Sequence, residues 1–408
     1  MRCLSSLERL PSYALFAGLL AAAGLPIYIH APKFYVDEFG VSLAALGFVL
    51  FGLRFLDVVQ DPFFGWLSAR FSRYRSGLVG FALCLMAVAM IGLFAVAPPL
   101  HPLAWFAFML TLVFSAFSFL TINFYAQGVS KANQLRTGRH LRVARWRETG
   151  ALLGICLAAV APEVLSSFFS EPFAAFAILF AFLAICALFL MRNEWVGSRL
   201  SNTAELRVVL QDPLARRLLC LALLNAAPVA VTSTLFLFFV ESRLQSPESS
   251  GLLLLLFFLS AAVAAPIWGK AAERFGEKPV LLAAMLAAIA VFGFAMTLRA
   301  GDISFFVLVC VGSGAAIGAD LTLLPAMFAS RMAQIAPTAA EGFGLWSFVS
   351  KFTLAFAAVT LLPVLDYSGF QSGTENSEGS LQLLSALYAG LPCALKLCAF
   401  VLLFRTKI

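Results

Sequence analysis

Twelve stretches of mostly apolar residues divide the chain, at 12–36, 41–69, 77–97, 102–130, 148–168, 172–191, 216–240, 250–269, 280–298, 304–329, 343–367 and 381–404. About 20 such residues, rising about 1.5 Å each as a helix, cross the roughly 30 Å of hydrocarbon in a bilayer. Short polar segments separate the stretches. The pattern therefore predicts an all-α integral membrane protein of twelve transmembrane helices. The first stretch follows Arg2 and Arg9 but is long and lacks a small-residue cleavage site before a soluble domain. It is expected to be a retained helix rather than a signal peptide. The most polar segment, 192–215, carries Arg192, Glu194, Arg199, Asn202, Glu205, Arg207 and Asp212. It is predicted to be a central cytoplasmic linker between an N-terminal bundle, 1–191, and a C-terminal bundle, 216–408.

Composition agrees: 62% of positions are hydrophobic and 12% charged, against about 25% charged in a soluble domain. The net charge of +7 is topological in origin. With the N-terminus in the cytoplasm, Lys33, Arg243 and Arg299 fall outside and Arg54, Lys351 and Lys396 fall within spans. Every other one of the 28 Lys and Arg then lies inside, which predicts both termini cytoplasmic. No soluble domain presents a basic face, so a nucleic-acid partner is excluded. Cys84, Cys156, Cys186, Cys220, Cys310, Cys393 and Cys398 are scattered through apolar stretches without C-x-x-C spacing, and are expected to be buried free thiols. His30, His101 and His140 form no ligand set.

The exception to the apolar pattern is Arg54-Phe-Leu-Asp57-Val-Val-Gln60-Asp61-Pro62. At about 100° per residue, Arg54, Asp57 and Asp61 share one helix face. Each costs about 2.5–3.5 kcal/mol at the centre of a membrane helix, so the stripe points to function. Two carboxylates four residues apart can jointly ligate a small hard cation or share a proton. Pro62 removes the amide that would bond the carbonyl of Val58, leaving an oxygen available beside them. The same charges also fit a structural network of Asp57 and Asp61 with Arg54 and Lys351. An Asp-x-x-x-Asp pair could alternatively hold Mg2+ and a pyrophosphate, as in membrane prenyltransferases. That chemistry needs a second acidic motif, and the second half offers Asp320 alone in mid-span, so no enzymatic activity is expected.

The chain repeats itself. Gly65-Trp-Leu-Ser-Ala-Arg70-Phe71 after the second span matches Gly269-Lys-Ala-Ala-Glu-Arg274-Phe275 after the eighth, half the chain length away. This Gly-x-x-x-x-Arg pattern resembles the signature loop of the major facilitator superfamily, with the first copy degenerate at Ala69. The resemblance implies two pseudo-symmetric six-helix bundles, a substrate site between them and transport by alternating access.

Within the superfamily, the Arg54 to Pro62 stripe is similar to helix two of the glycoside, pentoside and hexuronide cation symporters, the melibiose-carrier family. The resemblance implies that Asp57 and Asp61 bind the coupling Na+ or H+, with Arg54 in the same polar cluster and metal coordination arising only if the ion is Na+. Gln60, Ser118, Ser347 and Lys351 match its cation-site amide, hydroxyls and lysine. Arg145 matches a helix-five arginine, and Tyr125 an aromatic lining the sugar site. The family's sugar-binding carboxylates correspond to Ala21 and Thr121, which removes the acceptors that hold a galactoside. Thr121, Asn123, Tyr125, Asp320 and Trp346 are the expected substrate-cavity residues, with Gln127 adding a further amide. The expected partners are a small-molecule solute, a monovalent cation and the lipid of a plasma (inner) membrane. No resident cofactor is implied, and the chain is expected to work as a monomer. A proton-coupled or uncoupled carrier or exporter of a non-sugar solute is the alternative.

Overall fold

The computed structural model describes residues 10–135, 139–195, 205–336, 339–370 and 376–407. Among them, all regular structure is helical. The helices are α1 (Leu10–Ala22), α2 (Leu25–Phe39), α3 (Leu43–Arg70), α4 (Arg75–Phe94), α5 (Pro102–Gln134), α6 (Arg139–Ser166), α7 (Pro172–Met191), α8 (Glu205–Gln211), α9 (Pro213–Phe238), α10 (Ser250–Phe275), α11 (Glu277–Phe294), α12 (Ile303–Ile335), α13 (Ala340–Tyr367), α14 (Glu378–Ser385) and α15 (Leu391–Arg405). Among the described residues, ten helical segments are long and apolar enough to cross a membrane. The α1–α2 pair and α3, with its ionisable stripe, occupy the first and second predicted spans. Residues 196–204 of the linker predicted at 192–215 lie outside the described residues, as do 371–375; the rest of the linker holds α8 and the start of α9.

Two differences from the hydropathy pattern have physical causes. The first span is not one helix: α1 ends at Ala22 and α2 begins at Leu25, with Gly24 between them at φ −93° and ψ −114°. Pro26 has no amide, and its ring would meet the carbonyl of Ala22 in a continuous helix. Near the start of a new helix the missing amide is harmless. The second difference is length. α5 runs to Gln134 and α6 begins at Arg139, beyond the apolar stretches at 102–130 and 148–168. Hydropathy marks where hydrocarbon ends, whereas a helix continues through polar residues that suit it. Asp212 and Ser42 cap α9 and α3, accepting from the backbone amides of Ala215 at 2.7 Å and Ala45 at 3.2 Å.

The chain packs as two compact units, Met1–Val209 with Ala329–Phe348, and Leu210–Phe328 with Val349–Ile408. The first is tied most tightly where α1 meets α6. A Cβ added to Gly150 would lie 2.2 Å from the carbonyl oxygen of Ala14, and one on Gly154 would lie 2.3 Å from that of Gly18. Gly150-x-x-x-Gly154 thus brings two backbones into contact, the arrangement by which helices associate where hydrocarbon supplies no hydrophobic drive. In the second unit, Gly314 and Gly318 of α12 lie against the backbone of Phe257 and Ala261 in α10. The π-helical turns 239–243 and 386–390 stack Phe239 on Tyr388 at 4.2 Å in the same unit.

Phe48, Phe81 and Phe168 are 79%, 68% and 77% exposed, a surface that suits lipid and would aggregate in water. The same logic corrects the expectation for cysteine. All seven described thiols are free, but Cys84, Cys220 and Cys398 lie on the surface rather than inside. A thiol behaves as a small apolar group and is as compatible with lipid as with a core.

Gly150→Ala is expected to destabilise the protein by about 1–3 kcal/mol, because overpacking at a backbone contact has no flexible neighbour to yield. Gly47→Ala, where an added Cβ meets nothing within 4 Å, is expected to leave stability unchanged or slightly raised. Thermal unfolding in detergent measures both.

Candidate functional site

α3 carries the acidic pair through the first unit, and the site is built around it. Asp61 has no exposed surface, and Asp57 and Gln60 are 6% and 9% exposed. Such burial requires polar partners, since an isolated carboxylate in an apolar interior is prohibitively costly. The Gln60 side-chain amide donates from Nε2 to Asp57 Oδ1 at 2.8 Å. Its oxygen accepts from Ser115 Oγ of α5 at 2.9 Å. Ser347, near the start of α13, donates from Oγ to Asp61 Oδ2 at 2.5 Å.

Glycines make that last contact possible. A Cβ on Gly65 would lie 3.1 Å from the carbonyl oxygen of Ala340 and 3.2 Å from Cα of Gly344. One on Gly344 would lie 3.0 Å from the backbone oxygen of Asp61. α3 and α13 therefore run backbone to backbone beside Asp61, within reach of a serine hydroxyl. Gly65, read from the sequence as the start of a loop motif, sits inside α3 and serves this close approach.

The structure forms two hydrogen-bonded groups one turn apart on α3, Asp57 with Gln60 and Ser115, and Asp61 with Ser347. Ser118 is fully buried on α5, one turn from Ser115 and on the same face. Arg54 lies on α3 one turn before Asp57, but its side chain is outside the described residues. Lys351, one turn beyond Ser347 on α13, is half-buried and belongs to the second unit. Carboxylate, amide and hydroxyl oxygens are the donor types that hard cations take. Among the described residues no group of three or more His, Cys, Asp or Glu could hold a metal ion.

The other expected residues are distributed more widely. Thr121 is half-buried on α5, and its hydroxyl makes no hydrogen bond. Asn123 accepts from Ser68 Oγ at 2.6 Å and donates to the carbonyl of Phe119 at 2.8 Å, fastening α5 to α3. Gln127 accepts from Arg75 Nη1 at 3.3 Å. Tyr125 has three partners: its hydroxyl donates to Glu148 at 3.0 Å, the Arg147 guanidinium lies 3.6 Å over its ring, and Phe343 packs at 5.2 Å. Arg147 also donates from Nε to Glu148 at 2.8 Å. Arg145 is half-buried on α6, and Trp346 half-buried on α13. Asp320 lies in the second unit, paired with Lys396 of α15.

Ser115, Glu148 and the pairing of Lys396 with Asp320 escaped the sequence argument. Ser115 lies three residues before Ser118, so helical spacing placed it on the same face. Glu148 was legible as an acidic residue at the start of an apolar stretch that also begins with Arg145 and Arg147. Lys396 and Asp320 are opposite charges in two spans of one half, which is itself a reason to pair them.

The sequence profile of the family described as MFS/sugar transport protein matches residues 12–408. No curated protein matches the chain. Among solved structures it is similar in fold to a bacterial homologue of the iron transporter ferroportin in its outward-facing state. That likeness has 16% identity and a TM-score of 0.69, covering 98% of this chain and 99% of that one. It is also similar to the human organic anion transporter MFSD10 (TETRAN), at 17% identity and a TM-score of 0.65, covering 98% and 99% of the two chains. At such identities these likenesses speak to fold. The profile spans nearly the whole chain, and the protein belongs to the MFS/sugar transport family of the major facilitator superfamily.

Proposed function

We propose that this major facilitator transporter is a secondary active symporter, coupling a monovalent cation, Na+ or H+, to the uptake of a small solute such as a sugar or glycoside by alternating access. The observation that carries the reading is the pair of buried carboxylates one turn apart on α3, Asp57 bonded by Gln60, itself bonded by Ser115, and Asp61 bonded by Ser347. Two carboxylates within a membrane span are retained against a cost of several kcal/mol, and amide and hydroxyl oxygens surround them. Ser118 adds a further oxygen, with Arg54 and Arg145 in the surrounding charge network. We place the protein in the plasma (inner) membrane as a monomer with both termini in the cytoplasm.

A second reading keeps the fold and changes the cargo: a proton-coupled or uncoupled carrier or exporter of a non-sugar solute. Ala21 and Thr121 favour it, since neither supplies the carboxylate that would accept from neighbouring sugar hydroxyls. The solved neighbours, an iron transporter homologue and an organic anion transporter, also carry solutes other than sugars.

Asp61→Asn is expected to abolish concentrative uptake while the protein still inserts and elutes as a single species. Cation-driven accumulation at the wild-type level in that variant would refute the assignment. Ser347→Ala removes one hydrogen bond to a charged group, about 1.5–3 kcal/mol, and is expected to raise the half-saturating cation concentration roughly tenfold or more.

At constant ionic strength, Na+ or Li+ is expected to raise the unfolding temperature of the wild type. A ligand at about 100 times its dissociation constant stabilises the folded state by about 2.7 kcal/mol. Asp57→Asn is expected to lose this protection. Protection absent for both cations, with transport still driven by a pH gradient, would assign H+ as the coupling ion.

A further inference from the structure

The second unit contains a cavity of ≈ 70 Å³ that the transport reading leaves unused. It lies within that unit and is lined from five helices: α9, α10, α11, α12 and α15. On this measure about 10–15 Å³ holds one water, so several waters or a compact organic body fit. Most of the wall is apolar, with Phe257, Ile289, Phe292 and Ile317 among its residues.

One end of the wall is charged. Lys396 donates to Asp320 Oδ2 and to Asn225 Oδ1, and both charged residues are 6% exposed. Asp320 Oδ1, also buried, makes no hydrogen bond. The other polar side chains on the wall are already engaged. Thr232 donates to the carbonyl of Val229 at 3.1 Å, Ser313 to that of Val309 at 2.6 Å, and Cys393 to that of Ile289 at 3.6 Å.

This arrangement specifies a ligand. The aspartate and lysine neutralise each other, so an ionic guest would bring an uncompensated charge into an apolar enclosure. A neutral guest would not. Asp320 Oδ1 requires a donor, because a buried acceptor left unmet is costly. Lys396 carries three N–H donors and spends two on its named partners, so it can give one to an acceptor. A hydroxyl offers a donor and an acceptor on one atom. We propose that the cavity is a binding site for a small neutral hydroxy compound, an alcohol or phenol with a compact apolar body, its hydroxyl taken by Asp320 and Lys396.

The probe is 4-fluorophenol, followed by fluorine NMR line broadening on the purified full-length protein, with protein-free detergent as the baseline. Saturable broadening is expected in the wild type. It is expected to weaken about tenfold for fluorobenzene, which lacks the hydroxyl, and about tenfold in Asp320→Asn, the effect of one hydrogen bond to a charged group. Ala288→Phe fills the cavity and leaves the charged pair intact, so it is expected to abolish binding. Ala288→Leu serves where the larger substitution fails to fold. The proposal is overturned by a wild type that shows no saturable binding at millimolar probe, which leaves the cavity to water. Binding unchanged by the filling substitution, or tighter binding of 4-fluorobenzoate or 4-fluorobenzylammonium than of the phenol, overturns it equally.

Discussion

A carboxylate placed in hydrocarbon has to bring its solvation with it, and in this protein that requirement determines which helices touch. Asp61 has no exposed surface, so groups other than bulk water must meet its oxygens. One is the hydroxyl of Ser347, which reaches it because α13 lies against α3 with no side chain between them. The close approach rests on Gly65 and Gly344, whose absent Cβ atoms would stand 3.0–3.3 Å from the opposing backbone. The chain of cause therefore runs from two glycines, through a backbone contact, to one hydrogen bond and a tolerable buried charge. Removing any link would cost Asp61 this hydrogen bond.

The same requirement explains why so many polar side chains in the first unit join helices together. Asn123 meets Ser68, Gln127 meets Arg75, and Lys131 meets Glu194 at 2.7 Å, with 3% and 8% of those last two side chains exposed. Each is a pair from two different parts of the chain, and each satisfies groups that lipid could not. Tyr125 joins the same network, its hydroxyl donating to Glu148 and the Arg147 guanidinium lying over its ring.

The membrane-spanning character, the polar stripe of α3 and the role of its carboxylates as a buried pair were legible because each depends on residues near one another in sequence. Helical periodicity carries that information directly. The break at Gly24 was written in Pro26 but hidden by a run of apolar residues long enough for one span. The extended ends of α5 and α6 were missed because their polar residues look like loop to a hydropathy count and like good helix to the backbone. Long-range pairing was harder still. Ser347 and Asp61 are 286 residues apart, and no local pattern records that distance. The symporter resemblance supplied that correspondence, and it supplied nothing comparable for Lys396 and Asn225.

Three aspartates are buried among the described residues, Asp57, Asp61 and Asp320, and each accepts a hydrogen bond from another side chain. Asp320 is held by an ammonium, a fixed positive charge whose removal would leave an uncompensated ion in the interior. Asp57 and Asp61 take bonds from an amide and a hydroxyl, groups that carry no charge and are acceptors as well as donors. Gln60 already uses both capacities, giving to Asp57 and accepting from Ser115. A hydroxyl that donates to a carboxylate can turn and offer its oxygen to an arriving cation without moving a helix. An ammonium cannot make that exchange, because it has no lone pair to offer. In the proposed symport, groups that can turn in this way suit a place charged and discharged in every cycle. A locked ion pair suits a wall whose charge stays balanced while something neutral binds against it.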